Sequence, residues 1–187
     1  MKLTTLFITM LMLLTSVTGS TVELGILQAD KSRITFISKQ MGVPIEGKFG
    51  QFNAKIAFDP AHPETAKAHV EIAMESIDAG NPDSNEEIRL SGWFNTDKFK
   101  TAVFEADSFK LSSDGSYEAM GKMTIKGITQ PVKVIFSATQ TDTVATIDGN
   151  LLISRKQFGI GTAEWAEIVG DEVKLLFHFN FIPSQKS

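Results

Sequence analysis

The stretch MTIKGITQPVKVIFSA, residues 123–138, alternates apolar and polar side chains on both sides of a short break that contains Gly and Pro. The apolar side chains share one parity on each side of the break: Met123, Ile125, Val132, Val134 and Phe136. The other parity is mainly polar, with Ile135 as the exception. Because period-2 alternation is typical of strands with one buried face, the stretch predicts two half-buried strands joined by a tight connection.

Similar alternating segments run from Lys31 to the end of the chain, separated by turn compositions such as DPAHP, SSDG and TQTD. Eight of them can be recognised, at residues 34–36, 52–58, 70–74, 104–106, 117–125, 132–136, 147–153 and 173–181. An earlier segment, 22–27, would add a ninth. This spacing is typical of an all-β domain rather than of βαβ units. Since closing a sheet removes its edges, we predict an antiparallel β-barrel of about eight strands.

One segment, GNPDSNEEIRLSGWF at residues 80–94, interrupts the strand pattern. Ser84 is followed three residues later by Glu87, which is the capping-box spacing of a helix start, and Gly92 would end the helix. The pattern therefore predicts a short helical insertion near residues 84–91 that covers one end of the sheet.

The first twenty residues have a charged start at Lys2, an apolar run over 6–14 and small residues at 18–20. These are the three parts of a secretory signal peptide, which we place at residues 1–20. A membrane anchor is disfavoured, because the uninterrupted apolar run is well short of the roughly 20 residues that a spanning helix needs. The remaining residues, 21–187, contain no repeat or linker and form one domain.

Composition excludes several functional classes. The formal net charge of -4 becomes -5 when the segment holding Lys2 is removed, and the sequence contains no cluster of Lys and Arg. Neither nucleic acid nor an anionic membrane surface is therefore an expected partner. The chain has no Cys, which excludes disulfides, thiol chemistry and a cysteine-linked lipid. It has one Tyr and two Trp, too few for the aromatic girdles of an outer-membrane barrel, so we do not expect it to span a membrane.

No arrangement of residues in the sequence predicts catalysis. The histidines, His62, His69 and His178, are widely spaced, without the short-range pairing of metal ligands, and are interpreted as surface residues. No phosphate loop, dinucleotide fingerprint or GxSxG motif is present. We therefore expect a protein that is not an enzyme and that holds neither a metal nor a cofactor.

The inward-facing positions carry mainly large apolar side chains. A closed barrel of about eight strands is either filled by such side chains or just wide enough for one ligand. The candidates for lining a lumen are Phe36, Phe58, Met74, Phe104, Met123, Ile125, Val134, Phe136, Leu151, Phe177 and Phe179.

Three residues near strand ends are candidates for contacting the head group of a ligand: Gln40, Arg155 and Trp165. An Arg at the rim of a barrel could form a bidentate contact with a phosphate or carboxylate. Alternatively, Arg155 pairs with an acidic neighbour and fixes a loop. The sequence leaves both alternatives open.

Five blocks of the sequence carry a resemblance to a known family: SRITFISKQMGVPIEGKFGQFNAKIAFDP, VEIAMESIDAGN, GWFNTDKFKTAVFEA, GKMTIKGITQPVKV and ISRKQFGIGTAEW with VGDEVKLLFHF. In this order they resemble the YceI-like family of bacterial periplasmic polyisoprenoid-binding proteins, over essentially the whole chain after residue 20. The resemblance implies a lipocalin-like antiparallel barrel with a helical insertion. It also implies export to the periplasm and a homodimer.

By this resemblance, the protein would hold a polyisoprenoid, an isoprenoid quinone or a fatty amide in its lumen, for transport, storage or stress protection. The alternative is a non-catalytic stress-response or interaction module whose barrel is filled by its own side chains. Two departures concern the expected mouth. Gln40 stands where many family members have His, and residues 84–87 read Ser-Asn-Glu-Glu where many have Arg-Asp-x-His. The head-group preference of the family is therefore not carried over.

Overall fold

A computed structural model describes residues 24–183, and the predicted signal peptide lies outside these residues. The described chain forms one antiparallel sheet of 11 strands. Their bounds are β1 Ile26–Leu27, β2 Arg33–Gln40, β3 Val43–Phe49, β4 Phe52–Ala57, β5 Lys67–Ala73, β6 Ile77–Asp78, β7 Thr101–Leu111, β8 Tyr117–Ile125, β9 Ile128–Gln140, β10 Ala145–Ser154 and β11 Glu172–Ile182. The α-helix α1 spans Pro82–Glu87.

The strand order is β4-β5-β7-β8-β9-β10-β11-β2-β3-β6, with β1 paired to β11. Strands β7 to β11 follow one another as a meander, and β2 and β3 add to the far side of β11. The backbone N–H of Leu24, just before β1, donates to the carbonyl of Ile56 on β4 at 2.9 Å. This bond links the segment that leads into β1, and so to β11, with the edge strand β4. The sheet curls into an antiparallel half-barrel. The predicted all-β barrel class is confirmed.

The hairpin formed by β8 and β9 shows why residues 123–138 alternate. Ile125 pairs with Ile128, so the connection is two residues long. The two connecting residues have a left-handed backbone conformation, with φ of 52° at Lys126 and 77° at Gly127, as a type I′ turn requires. The exceptional Ile135 lies on the outer face and is 38% exposed, whereas the five apolar residues of the other parity are buried.

All eight predicted strand segments overlap observed strands, but β3 and the two-residue β6 were not predicted. The sequence of β3, VPIEGKF, contains Pro44 and Gly47, two residues that weaken a strand signal. The structure tolerates Pro44 because β3 lies close to the edge of the sheet, with only the two-residue β6 beyond it. Of the predicted segment 22–27, residues 24–27 are described, and the last two of them form β1.

The helical insertion exists, but the prediction that Ser84 caps it is wrong. Asn81 is the N-cap residue, and its side-chain oxygen accepts a hydrogen bond from the N–H of Ser84 at 2.9 Å. Pro82 then occupies the first turn, where its missing N–H costs nothing. The helix ends at Glu87 instead of near residue 91, and turns follow it up to β7.

One end of the sheet interior is filled by aromatic rings. Phe58 packs edge-on against Tyr117 and Phe136, with ring centroids 4.9 and 5.5 Å apart, and Phe109 lies 6.5 Å from Phe58. Edge-to-face packing at these separations is favourable. We call these four residues the aromatic cluster. It closes the end of the interior at which β8 begins.

Candidate functional site

A cavity of 460 Å³ lies at the other end of the interior, between the sheet, α1 and the loops that follow α1 and β10. Strand β8 shows how the interior changes along its length. Tyr117 belongs to the aromatic cluster, Ala119 lines a second cavity of only 70 Å³, and Ile125 lines the large cavity. The interior is therefore packed at one end and open at the other.

The small cavity is lined entirely by apolar side chains. It shares three lining residues with the large one: Ile72, Met123 and Leu175. These three side chains therefore stand between the two spaces. A volume of 70 Å³ is far below the roughly 300 Å³ at which ligand sites begin, so of these two cavities in the described part of the chain the large one has the size of a binding site.

The structure divides the predicted lumen residues between the two cavities. Four of them line the large cavity: Phe36, Met74, Met123 and Ile125. Seven line the small cavity: Phe104, Met123, Val134, Phe136, Leu151, Phe177 and Phe179. Phe58 lines neither, because it is the centre of the aromatic cluster and is 1% exposed.

Several lining residues were missed by the sequence analysis because they lie in segments without strand or helix periodicity. Ile88, Trp93 and Phe94 follow α1 and cover the large cavity. The indole N–H of Trp93 donates to Oε1 of Glu87 at 3.1 Å, which attaches this segment to the end of α1. The only sequence signal for these residues was the cluster of apolar side chains beside the expected helix.

Polar side chains gather where the large cavity meets solvent. They are Ser38, Gln40, Asp83, Ser84 and Glu87. Gln40 and Asp83 are exposed, so the cavity opens at these positions. Gln40 is the last residue of β2, and Asp83 lies in the first turn of α1.

Arg155 is 2% exposed and lies below this mouth. Its guanidinium donates to four backbone carbonyls: Ile160 at 2.7 Å, Val169 at 2.7 Å, Gly170 at 3.0 Å and Trp165 at 3.2 Å. Burial lowers the pKa of Arg155, and the nearby charge of Asp171 opposes that shift. These hydrogen bonds fix the loop, as the second alternative expected, but the partners of the guanidinium are backbone carbonyls instead of an acidic side chain.

Asp171 completes this arrangement from the start of β11. Its carboxylate accepts from the hydroxyl of Ser154 at 2.8 Å and from the N–H of Lys156 at 3.0 Å. Burial raises the pKa of Asp171, but these hydrogen bonds and the charges of Lys156 and Arg155 outweigh it, so the pKa lies below its usual value. Arg155 and Asp171 together hold the loop that carries Trp165.

Trp165 contributes an aromatic wall to the large cavity. Its ring centroid lies 5.3 Å from that of Trp93 at an angle of 59°. The guanidinium carbon of Arg155 lies 5.8 Å from the Trp93 ring, within cation–π range. The two Trp rings therefore form an apolar wall beside the polar mouth.

The histidines lie outside both cavities. His69 lies near Glu71 and Glu105 at 3.1 and 3.3 Å, and His178 contacts Asp148 at 2.6 Å. Within residues 24–183, no group of three His, Cys, Asp or Glu side chains is arranged to hold a metal ion. Over the same residues, no helix has the length and apolar character needed to cross a bilayer. What the large cavity can do chemically is to bury an apolar molecule.

Comparison with known proteins shows one family. Residues 26–181 match the YceI-like domain. A UPF0312 protein of Ectopseudomonas mendocina is 34% identical over 88 residues, which are 47% of this chain and 46% of that protein. A UPF0312 protein of Pectobacterium atrosepticum is 30% identical over 102 residues, 54% of this chain and 53% of that protein. The chain thus spans about half the length of the relatives it matches.

Solved structures share the fold. BcnA of Burkholderia cenocepacia is 35% identical with a TM-score of 0.79, and the match covers 82% of this chain and 98% of BcnA. A polyisoprenoid binding domain from Saccharophagus degradans, 14% identical, has a TM-score of 0.66 over 88% of this chain and 100% of that domain. The Campylobacter jejuni YCEI protein, 18% identical, has a TM-score of 0.62 over 75% of this chain and 86% of its own.

Proposed function

This chain belongs to the YceI-like family, and from that membership we propose that it binds one long apolar chain, a polyisoprenoid, an isoprenoid quinone or a fatty amide, in the large cavity. The observation that carries the proposal is a cavity of 460 Å³ with predominantly apolar walls, which lies within the range of about 300 to 1,000 Å³ typical of ligand sites. A structural neighbour named as a polyisoprenoid binding domain supports the choice of ligand class.

Burial of the ligand is the source of affinity in this proposal. Each CH₂ group moved from water into the cavity contributes about 0.8 kcal/mol, so ten of them contribute about 8 kcal/mol before the cost of immobilising the chain. The apolar end of the ligand would point towards Met123 and Leu175, where the large cavity meets the small one. Its head group would lie near Gln40 and Asp83.

The proposed location is the periplasm, because residues 1–20 have the composition of a signal peptide. There the protein would transport or store its ligand, or protect the cell under stress, and a homodimer is part of the proposal. The proposal assigns no catalytic role to any residue of the cavity, so the ligand would be bound and released chemically unchanged.

The direct test is native mass spectrometry of the full chain expressed in a bacterium and purified from the periplasm. We expect a species heavier than the mature chain by the mass of one lipid, and we expect organic extraction to remove that mass. The same spectrum reports the oligomeric state and the start of the mature chain. A protein that carries no lipid, and that also fails to bind added polyprenyl alcohol, would favour the self-filled interaction module instead.

A further inference from the structure

We infer that the ligand of the large cavity has a head group that donates hydrogen bonds and carries no negative charge, with a primary amine as the most strongly bound example. The inference rests on the proposed function and concerns the polar end of the same site. It follows from the charge and hydrogen-bonding capacity of the side chains at the mouth.

Two carboxylates, those of Asp83 and Glu87, line the mouth. An ionised carboxylate accepts hydrogen bonds and donates none. Oε1 of Glu87 accepts from Trp93, and its second oxygen is an acceptor that a ligand can use. Asp83 is exposed at the opening, in the first turn of α1. A head group that donates hydrogen bonds to these oxygens is therefore favoured, and an anionic head group is repelled by two like charges.

Arg155 is the cation among the residues that line this cavity, and it is committed elsewhere. Of the five N–H groups of a guanidinium, four already donate to backbone carbonyls. The bidentate fork that recognises a phosphate or a carboxylate is thus occupied. The charge of Asp171 lies close enough to act on Arg155, so the cation is also partly balanced within the protein.

Two other cations stand on segments beside the mouth without lining the cavity. Lys39 follows Ser38 on β2 and is exposed. Arg89 donates to the carbonyl of Ile77 at 3.4 Å, and its buried Nε has no hydrogen-bond partner among residues 24–183. The N–H of Ser84 is held by Asn81 and is not offered to an anion. Ser38, Gln40 and Ser84 add neutral groups that accept hydrogen bonds as well as donate them.

The test uses three molecules with the same decyl chain: decylamine, decanol and decanoate. Each displaces the neutral fluorescent probe N-phenylnaphthylamine from the protein at pH 7 and low ionic strength. We expect decylamine to bind at least about tenfold more tightly than decanoate, with decanol between them, because two carboxylates at a partly desolvated mouth favour a cation and repel an anion. Added salt should reduce the ratio.

Variants on the same helix assign the effect to the mouth. Glu87→Gln keeps an oxygen for Trp93 and should lower the amine-to-carboxylate ratio several-fold, and Asp83→Asn together with Glu87→Gln should lower it further. Glu86→Gln is the matched control, because Glu86 is exposed on α1 and does not line the cavity. It removes the same charge and should leave the ratio close to that of the natural protein.

The outcomes separate this inference from the proposed function. If decanol binds but decanoate binds as tightly as decylamine or more so, the inference is overturned while the apolar site stands. A ratio that falls equally in Glu86→Gln and Glu87→Gln also overturns it, since the effect would then be one of net charge. If none of the three molecules displaces the probe, the proposed function and the inference both fail.

Discussion

The ring of Phe36 lies directly over Gly47, its partner on the adjacent strand, so that a Cβ atom at Gly47 would overlap with Cζ of the ring. The same Cβ would also lie 2.6 Å from the carbonyl oxygen of Asp78. Glycine is thus needed for a close approach of ring and backbone. Because the ring can lie against the strand, Phe36 lines the wall of the large cavity.

Gly47→Ala should therefore destabilise the fold by about 1 to 3 kcal/mol, the usual cost of inserting a methyl group into a packed site, and should weaken probe binding by moving Phe36. Urea unfolding and probe titration measure the two effects. Gly50→Ala is the matched control, since its Cβ would meet Ser76 at an ordinary 3.5 Å. Equal stability of the two variants would contradict the packing argument.

The strands could be predicted because each has one buried face, and burial imposes a period of two. This holds best for residues 117–140, where a type I′ turn keeps β8 and β9 in register. The prediction fails for β3, because Pro44 and Gly47 interrupt the alternation of apolar and polar residues. A strand near the edge of the sheet is also under less pressure to keep that alternation. The long-range packing of Phe36 on Gly47, which explains that glycine, is not visible in the local pattern.

The candidate site was predictable where it is built from strands and less so where it is built from loops. Met123 and Ile125 were identified from parity alone, and both line the large cavity. Trp93 and Ile88 were not, because turn segments show no period. The alternation pattern could not show whether Arg155 lies at the rim or is buried. Its partners are backbone carbonyls, which every residue type provides, so the sequence does not reveal them.

The two cavities predict opposite responses to the same substitution. Ala102 lines the large cavity and Ala119 lines the small one, and both are buried on inward-facing positions of neighbouring strands. Ala102→Leu should be neutral or slightly stabilising, because the added carbons enter open space. Ala119→Leu should cost about 1 to 3 kcal/mol, because 70 Å³ beside packed aromatic rings does not accommodate them without displacement. Urea unfolding compares them.

Ligand binding should show the reverse order. Ala102→Leu displaces roughly two methylene positions of a bound chain, so we expect a loss of about tenfold or more in affinity for decanol. Ala119→Leu should change this affinity little if the variant remains folded. A decanol affinity unchanged by Ala102→Leu would mean that the chain is bound somewhere else.

The carboxylate of Asp171 predicts a pH dependence of stability. Its pKa is lowered in the folded protein from 3.8, because hydrogen bonds from Lys156 and Ser154 outweigh the opposing effect of burial. The folded state therefore binds this proton less readily than the unfolded state, and the contribution of Asp171 is present above pH about 3.8 and is lost as pH falls through the lower, folded value.

Asp171→Asn should accordingly be less stable than the natural protein near neutral pH, with a difference that shrinks as pH falls below about 4. Urea unfolding at a series of pH values measures this difference. Asp142→Asn, at an exposed turn residue, is the control and should follow the natural protein closely. A difference that is constant from neutral to acid pH would show that Asp171 acts without its charge.

Arg155→Ala tests whether the guanidinium fixes the loop that carries Trp165 or contacts the head group of the ligand. The substitution removes the donors to four carbonyls, and leaving buried acceptors unpaired costs about 3 kcal/mol or more in stability. The loop carrying Trp165 should loosen, so a prenyl phosphate and a prenyl alcohol should lose affinity equally. Isothermal calorimetry of both ligands measures this, with Lys156→Ala as a neighbouring cation that does not line the cavity. A loss of about 1.5 to 3 kcal/mol confined to the phosphate would instead mean that Arg155 grips the head group.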